Sequence, residues 1–344
     1  MTITDWLQTA TKNQFADFID TTRKGDFSAI LREAEAVRQK HYGNRVYLRA
    51  LIEFTNYCKN DCYYCGLRKS NLAVRRYRLS THDILSCCEK AYALGLRTFV
   101  LQSGEDPYFH DERMVRIVSA MRERFADCAI TLSIGERSRA SYQALFDAGA
   151  NRYLLRHETA NEAHYRILHP PEMRFQTRRD CLLALKDIGF QIGAGFMVAS
   201  PGQTADTLAD DLLFLRELQP QMIGIGPFIP QKDTPFFNQP AGTTKDTLLM
   251  LALTRLIVPR ALLPSTTALS SIDPLGRVRG LRAGGNVVMP NVSPLSHRKD
   301  YALYDNKAGT DNECAENLRQ IESEMACAGL VATGARGDHV DFAP

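Results

Sequence analysis

No stretch of this chain approaches the roughly twenty uninterrupted apolar residues that a membrane-spanning helix needs. Its first residues, MTITDWLQTATKNQFADF, also lack the basic-then-apolar layout of a secretory signal, so a cytoplasmic protein with no membrane partner is expected. An excess of one charge is missing too. The formal net charge is +3 over 344 residues and Lys and Arg occur along the whole length, which gives no ground for a nucleic-acid partner and points to a small-molecule substrate. Cysteine is too sparse for a disulfide scaffold. The nine present, an odd number, fit a reducing compartment where thiols stay free or hold metal. Gly/Ser-rich linkers, low-complexity tracts and long repeats are absent, which removes the usual marks of several tethered domains.

What is present is an ordinary globular composition, 44% hydrophobic and 24% charged, with a regular rhythm of short apolar runs and longer segments of helical period. Helices are expected near residues 14–22 and 27–41. Strands are expected at Tyr47 to Thr55, Thr98 to Gln102, Ala129 to Ile134, Arg152 to His157, Gln191 to Val198, Met222 to Pro227, Leu263 to Ala268 and Asn286 to Met289. Between them lie helical stretches at Ser80 to Leu94, Asp111 to Phe125, Arg139 to Asp147, Thr204 to Leu218 and Thr244 to Ile257, several opened by a Ser, Thr or Asp cap. This alternation predicts an α/β fold, a (β/α)8 barrel over residues 45–290, with a doubly wound open sheet as the competing architecture. Residues 1–44 read as a helical N-terminal segment. Residues 291–344 read as a C-terminal extension with a helix at Glu313 to Met325, packing on one barrel end.

Directly after the first strand stands Asn56-Tyr57-Cys58-Lys59-Asn60-Asp61-Cys62-Tyr63-Tyr64-Cys65-Gly66. Three thiolates on a short irregular loop can grip three irons of a [4Fe-4S] cube while backbone N–H groups offset its negative charge. The fourth iron then stays open to chelate a ligand. A zinc site is the alternative, but zinc ordinarily takes four Cys or His ligands and no fourth stands at paired spacing. Cys87, Cys88, Cys128, Cys181 and Cys327 lack such spacing and read as buried structural thiols.

Barrel chemistry sits at the C-terminal ends of the strands, and the residues there are polar. Gln102-Ser103-Gly104-Glu105 offers a glycine for close backbone approach and a carboxylate for an ammonium. Arg156 and Glu158 fall on one face at the end of the fourth strand, with Arg178 on a following helix placed to complete an ion pair or to hold a carboxylate. A structural salt bridge at the barrel mouth is the plain alternative for each. His157, on the other strand face, is expected to support and not to react. Gly193, Gly195 and Ser200-Pro201-Gly202-Gln203-Thr204 offer a weak signal for adenine against backbone.

The three-cysteine loop, with an aromatic, Tyr64, before its last cysteine, resembles that of the radical S-adenosylmethionine (SAM) superfamily. The strings LQSGEDPYF, RYLLRHETAN, MIGIGPFIPQKDTPF, STTA and NVVMPN resemble, within it, the HydE family of [FeFe]-hydrogenase maturases, from about Arg45 to about Tyr304. That resemblance implies a complete barrel with a [4Fe-4S] cluster on Cys58, Cys62 and Cys65, and SAM near Tyr64, Ser103, Gly104, Glu105, Arg156, Glu158 and Arg178. It implies a substrate pocket at Thr131, Arg152, Met222, Thr266, Thr267 and Tyr301. The implied activity is reductive cleavage of SAM to methionine and a 5′-deoxyadenosyl radical, which attacks the sulfur of a cysteine-bound iron carbonyl cyanide species. The implied partners are this small organometallic substrate, a low-potential electron donor and the sister maturases HydG and HydF. Some relatives carry further C-terminal cysteines for a second cluster. Here only Cys314 stands in NECAENL, so no second cluster is expected. Rival readings are a methylornithine synthase or biotin synthase relative, or a non-catalytic iron-sulfur carrier.

Overall fold

The computed structural model describes residues 3–311 and 313–342. Its strands are β1 (Arg45–Leu48), β2 (Ala50–Thr55), β3 (Thr98–Ser103), β4 (Ala129–Ser133), β5 (Arg152–Leu154), β6 (Gln191–Ala194), β7 (Met197–Val198), β8 (Met222–Ile223), β9 (Gly226–Pro227), β10 (Val287–Val288) and β11 (Val331–Thr333). A six-stranded parallel sheet runs in the order β2-β3-β4-β5-β6-β8. Parallel bridges Met222 to Leu262 and Pro264 to Val287 continue it through residues 262–264 to β10, and β10 pairs in parallel with β1. The sheet therefore closes on itself, which excludes the open doubly wound alternative and establishes the eight-staved barrel.

Local chemistry explains each piece. The strands are rich in β-branched and aromatic residues and are buried on both faces, as parallel strands covered by helices must be. Several of the covering helices begin at side-chain caps. Ser80 and Asp83 form a reciprocal capping box on Thr81–Ala93, and the hydroxyls of Thr204 and Thr243 accept from the first turns of Ala205–Leu218 and Thr244–Ile257. The N-terminal helices Lys12–Thr22 and Ser28–Tyr42 lie across the outside, against Ala205–Leu218 and Thr244–Ile257 respectively. One apolar core, from Leu7 to Leu330, joins these layers.

Several expected elements differ: the strands at Gln191 to Val198 and Met222 to Pro227 each divide, and their outer halves β7 and β9 pair with each other in a separate two-stranded sheet. The first strand is interrupted at Arg49, whose buried guanidinium points inward at Met222 Sδ, 3.2 Å away, so β1 pairs with β10 and β2 with β3. The expected strand from Leu263 to Ala268 reduces to bridges at Leu262 and Pro264. Proline supplies no ladder N–H, and the Thr266 hydroxyl caps a helix at Thr267–Ile272 instead. The fourth strand stops at Leu154, so Arg156 and Glu158 lie on a loop, where Glu158 takes a positive φ of 65°.

The C-terminal extension covers both barrel ends. Residues around Tyr301 to Tyr304 line the mouth, while β11 pairs with β1 and the following residues seal the opposite end. There Thr98 Oγ1 donates to Arg336 O at 2.7 Å, and Arg152 and Gln191 both reach Asp338 Oδ1, at 2.7 and 2.8 Å. No helix among the described residues is long and apolar enough to cross a membrane.

Candidate active site

A cavity of about 300 Å³ opens at the C-terminal ends of the strands, and the three cysteines of the loop after β2 stand along its wall. The loop is held in shape by two polar side chains, one buried and one partly buried. Asn56 donates to Arg75 O and Asp300 O, each at 2.8 Å, and accepts from Tyr77 N. Arg76 donates to the carbonyls of Leu67, Arg68 and Asn71. Gly104 is required here by space, because a Cβ on it would fall 2.3 Å from Tyr57 O and 2.7 Å from Cys58 Cβ.

Cys58, Cys62 and Cys65 are free thiols and none is fully exposed. Burial pushes all three thiols up, Cys65 to about 12, and repulsion from a neighbouring thiolate adds to it for Cys62 and Cys65. Amide donors oppose this: Glu105 N points at Cys58 Sγ, 3.4 Å away. Positive charge entering among the sulfurs would favour their thiolate forms. Among the described residues no three Cys, His, Asp or Glu side chains close around a single-ion point. Thiolates on three corners of a cube have no need to meet at one point.

Across the cavity the carboxylate of Glu105 accepts from Glu136 N through Oε1 at 2.9 Å, and Gly135, with φ +79°, leaves room for it. Its Oε2 is buried without a hydrogen bond, 3.2 Å from the half-exposed Lys59 ammonium. Arg156 and Glu158 lie 3.3 Å apart, yet Arg156 Nε and Nη2 and Glu158 Oε2 are also buried without hydrogen bonds. These orphan donors and acceptors face one space, which is the signature of a site built for a polar ligand. Arg178 turns instead to Glu136, at 2.5 Å, and to Arg156 O, at 2.8 Å. Glu136 is thus a site residue the sequence reading missed, because its partner is far along the chain.

The structure gathers Cys58, Cys62, Tyr64, Cys65, Ser103, Gly104, Glu105, Arg156, Glu158, Arg178, Thr266 and Tyr301 around this cavity. It places four expected pocket residues elsewhere. Thr131 and Met222 line a smaller space deeper in the barrel, and Thr267 faces a separate hollow beside Lys307. Arg152, wholly buried, is paired with Asp338 at the sealed end. Gln102 and Phe228, which lie within the HydE-like strings, Tyr304, which stands close to the expected Tyr301, and Ser133 also join the lining. Gly193 and Gly195 serve chain packing, since a Cβ on either would strike Leu154 or the Gly224 carbonyl. His157 is buried behind the site, accepting from Gly195 N at 3.2 Å and facing Asp211 Oδ1 at 3.3 Å. Cys87, Cys88, Cys128 and Cys181 are buried as expected, whereas Cys327 is exposed at the end of the helix Cys314–Cys327.

Residues 52–215 match the Radical SAM superfamily. The chain is 45% identical to the [FeFe] hydrogenase maturase subunit HydE of Thermotoga maritima over 86% of its length and 84% of that protein. It belongs to the HydE family of the radical SAM superfamily. A 3-methylornithine synthase of Methanosarcina acetivorans is 31% identical over 79% of the chain and 77% of that protein. The crystal structure of methylornithine synthase superposes with a TM-score of 0.83 at 24% identity, covering 96% of this chain and 97% of that one, and shares the barrel fold.

Radical SAM enzymes use a [4Fe-4S] cluster and SAM, and the residues of this chain fit both. Three thiols on the wall of one cavity, each raised by burial, suit three irons, whose charge favours the thiolate. Unsatisfied acceptors at Glu105 and Glu158 and unsatisfied donors at Arg156 suit the ammonium and carboxylate of an amino-acid group.

Proposed function

We propose that this radical SAM enzyme acts in the maturation of [FeFe]-hydrogenase, on a small organometallic substrate held inside the barrel. The observation that carries this reading is that the three cysteines and the orphaned polar atoms of Glu105, Arg156 and Glu158 share one cavity. Cys58, Cys62 and Cys65 would hold three irons and leave the fourth open. Glu105 Oε2 would accept from the SAM ammonium, Arg156 would donate to its carboxylate, and Glu158 would accept from a further donor of the same ligand. Bound together, the cluster and SAM supply reductive S–C5′ cleavage, giving methionine and a 5′-deoxyadenosyl radical.

What the chain contributes is position and exclusion. Arg178 fixes the Arg156 backbone and the Glu136 carboxylate, whose amide in turn fixes Glu105. Tyr64 donates to His169 Nε2 at 3.2 Å, because His169 Nδ1 must donate to the carbonyl of Tyr165 at 3.0 Å. Met197, Leu154, Leu155, Pro227 and Phe228 give an apolar wall that keeps water from a reactive carbon. Thr266 and Tyr301, on the same cavity, would contact the substrate. No general acid or base is needed.

The low-potential donor and the partners HydG and HydF belong to this proposal. Anaerobic incubation with SAM, reductant, the HydG product, HydF and apo-hydrogenase tests it: hydrogenase activity should depend on this protein, and equal activity without it would reject the assignment. A second reading, lysine isomerisation, is favoured by the 31% identity to 3-methylornithine synthase. Turnover of lysine by the reconstituted enzyme would establish that instead.

A further inference from the structure

The three sulfurs of the cysteine loop are not alike in what surrounds them. Cys58 Sγ faces the Glu105 amide at 3.4 Å, and the backbone N–H groups of Asn60 and Leu67 bond Cys58 and Cys65 respectively. Among the described residues no backbone N–H donates to Cys62 Sγ. What stands against it is another sulfur, the thioether of Met173, 3.6 Å away.

Met173 is brought there by a short, stiff segment. Leu168-His169-Pro170-Pro171-Glu172-Met173 links the helices Glu162–Leu168 and Phe175–Ile188 and meets the cysteine loop at three successive residues. Leu168 O accepts from Tyr63 N at 3.0 Å, His169 Nε2 accepts from the Tyr64 hydroxyl at 3.2 Å, and Met173 reaches Cys62. Two consecutive prolines fix φ, and Met173 N closes a turn on Pro170 O at 3.0 Å. Leu168, buried with Met197 and Phe228, anchors the start of the segment. The place of Met173 beside Cys62 is therefore set by the backbone and not by a free side chain.

Met173 is half-buried while Pro171, Glu172 and Arg174 next to it are exposed, so its side chain runs from the surface to Cys62. It does not line the cavity that Cys62 lines, and so it approaches this sulfur from outside the ligand space. A thioether is a weak acceptor with no proton to donate. On that flank Cys62 is offered no hydrogen bond.

We infer that Met173 is a positioning residue for the radical-generating cluster: by covering the outer flank of Cys62 with a donor-free side chain, it keeps the cluster's reduction potential low. The inference rests on the reading that Cys58, Cys62 and Cys65 hold that cluster. An N–H or O–H bonded to a ligating sulfur stabilises the reduced form, which carries one more negative charge, more than the oxidised form, and so raises the potential. Cleavage of the S–C5′ bond takes one electron from the reduced cluster, so a raised potential would make the cluster easier to reduce and a weaker donor. Apolar cover at Cys62 acts in the opposite direction.

The test is a redox titration of the full chain, with its cluster reconstituted anaerobically and no SAM added, followed by the [4Fe-4S] electron paramagnetic resonance signal, so that activity does not enter. Met173→Gln sets an amide donor against Cys62, Met173→Ala opens the flank to water, and Met173→Leu keeps apolar cover without the sulfur. At a fixed potential the reduced-to-oxidised ratio should rise about tenfold in Met173→Gln, a shift of about 59 mV for one electron, and should rise in Met173→Ala too, with Met173→Leu at the value of the unaltered protein. Should the polar variant load no cluster, the Ala and Leu variants decide the matter alone. Equal potentials in the Ala variant and the unaltered protein, or a Leu variant shifted as far as the Ala variant, would overturn the role assigned to Met173. An unaltered protein without a [4Fe-4S] signal would overturn the cluster reading itself, on which the inference stands.

Discussion

The guanidinium of Arg152 lies 2.7 Å from the carboxylate of Asp338, and neither side chain is more than 5% exposed. The pair ties the start of β5 to a segment almost two hundred residues later and closes the barrel end remote from the metal loop. The reacting end is thereby the open one. Arg152 spends its charge on closure, and the cavity takes its cation from Arg156.

Removing one member of that pair strands the other. Asp338→Ala should cost about 3–5 kcal/mol of unfolding free energy, because Arg152 is left buried and uncompensated. Asp341→Ala, which breaks a half-exposed pair with Arg260, should cost less than about 1 kcal/mol. Urea unfolding of both variants makes the comparison, and equal losses would show that the sealed end is not held by this pair.

Acid should weaken the fold before its carboxylates titrate. Burial drives the His157 and His169 rings down to about 3, so both remain neutral in the folded chain. Unfolded histidine takes up a proton near 6.5, and a depressed folded value means the stability is complete above 6.5 and is lost as pH falls toward 3. Each ring should therefore cost about 1–2 kcal/mol by pH 5. Denaturant midpoints at pH 7.5 and pH 5 measure this, and His169→Gln should reduce the difference.

Gly104→Ala should leave the barrel folded and impair cluster loading, since the added methyl would sit 2.3 Å from Tyr57 O and force the cysteine loop outward. Iron content after anaerobic reconstitution, set beside circular dichroism, checks it. Ser103→Gly, which adds nothing, should load normally.

Glu105→Gln should weaken SAM binding by about 2 kcal/mol, roughly thirtyfold in Kd, because an amide oxygen replaces a charged acceptor for the ammonium. Titration of the cluster absorbance with SAM reads this. The variant should keep its iron, which separates a binding defect from a loading defect.

Much of this molecule was legible in the sequence, and the rest was not for identifiable reasons. The cysteine spacing and the strand-helix alternation are local patterns, and both are found in the structure. The expected strand at Leu263 to Ala268 failed because Pro264 breaks the ladder and Thr266 caps a helix, a signal present in the sequence but outweighed by the apolar run. Arg152 could not be distinguished from Arg156 by type. Only the return of Asp338 beneath the barrel separates them, and pairing over such a distance leaves no local trace. Glu136 likewise joins the site, through its ion pair with Arg178, only when the chain is folded.

The central claim is that Cys58, Cys62 and Cys65 hold a cluster with one iron free for SAM. Electron paramagnetic resonance of the dithionite-reduced, anaerobically reconstituted protein, recorded with and without SAM, tests it most directly. The account predicts a [4Fe-4S] signal that changes shape on adding SAM, accompanied by 5′-deoxyadenosine release, with both lost in Cys62→Ala. A zinc-loaded protein, or an iron signal that SAM leaves unchanged, would contradict it.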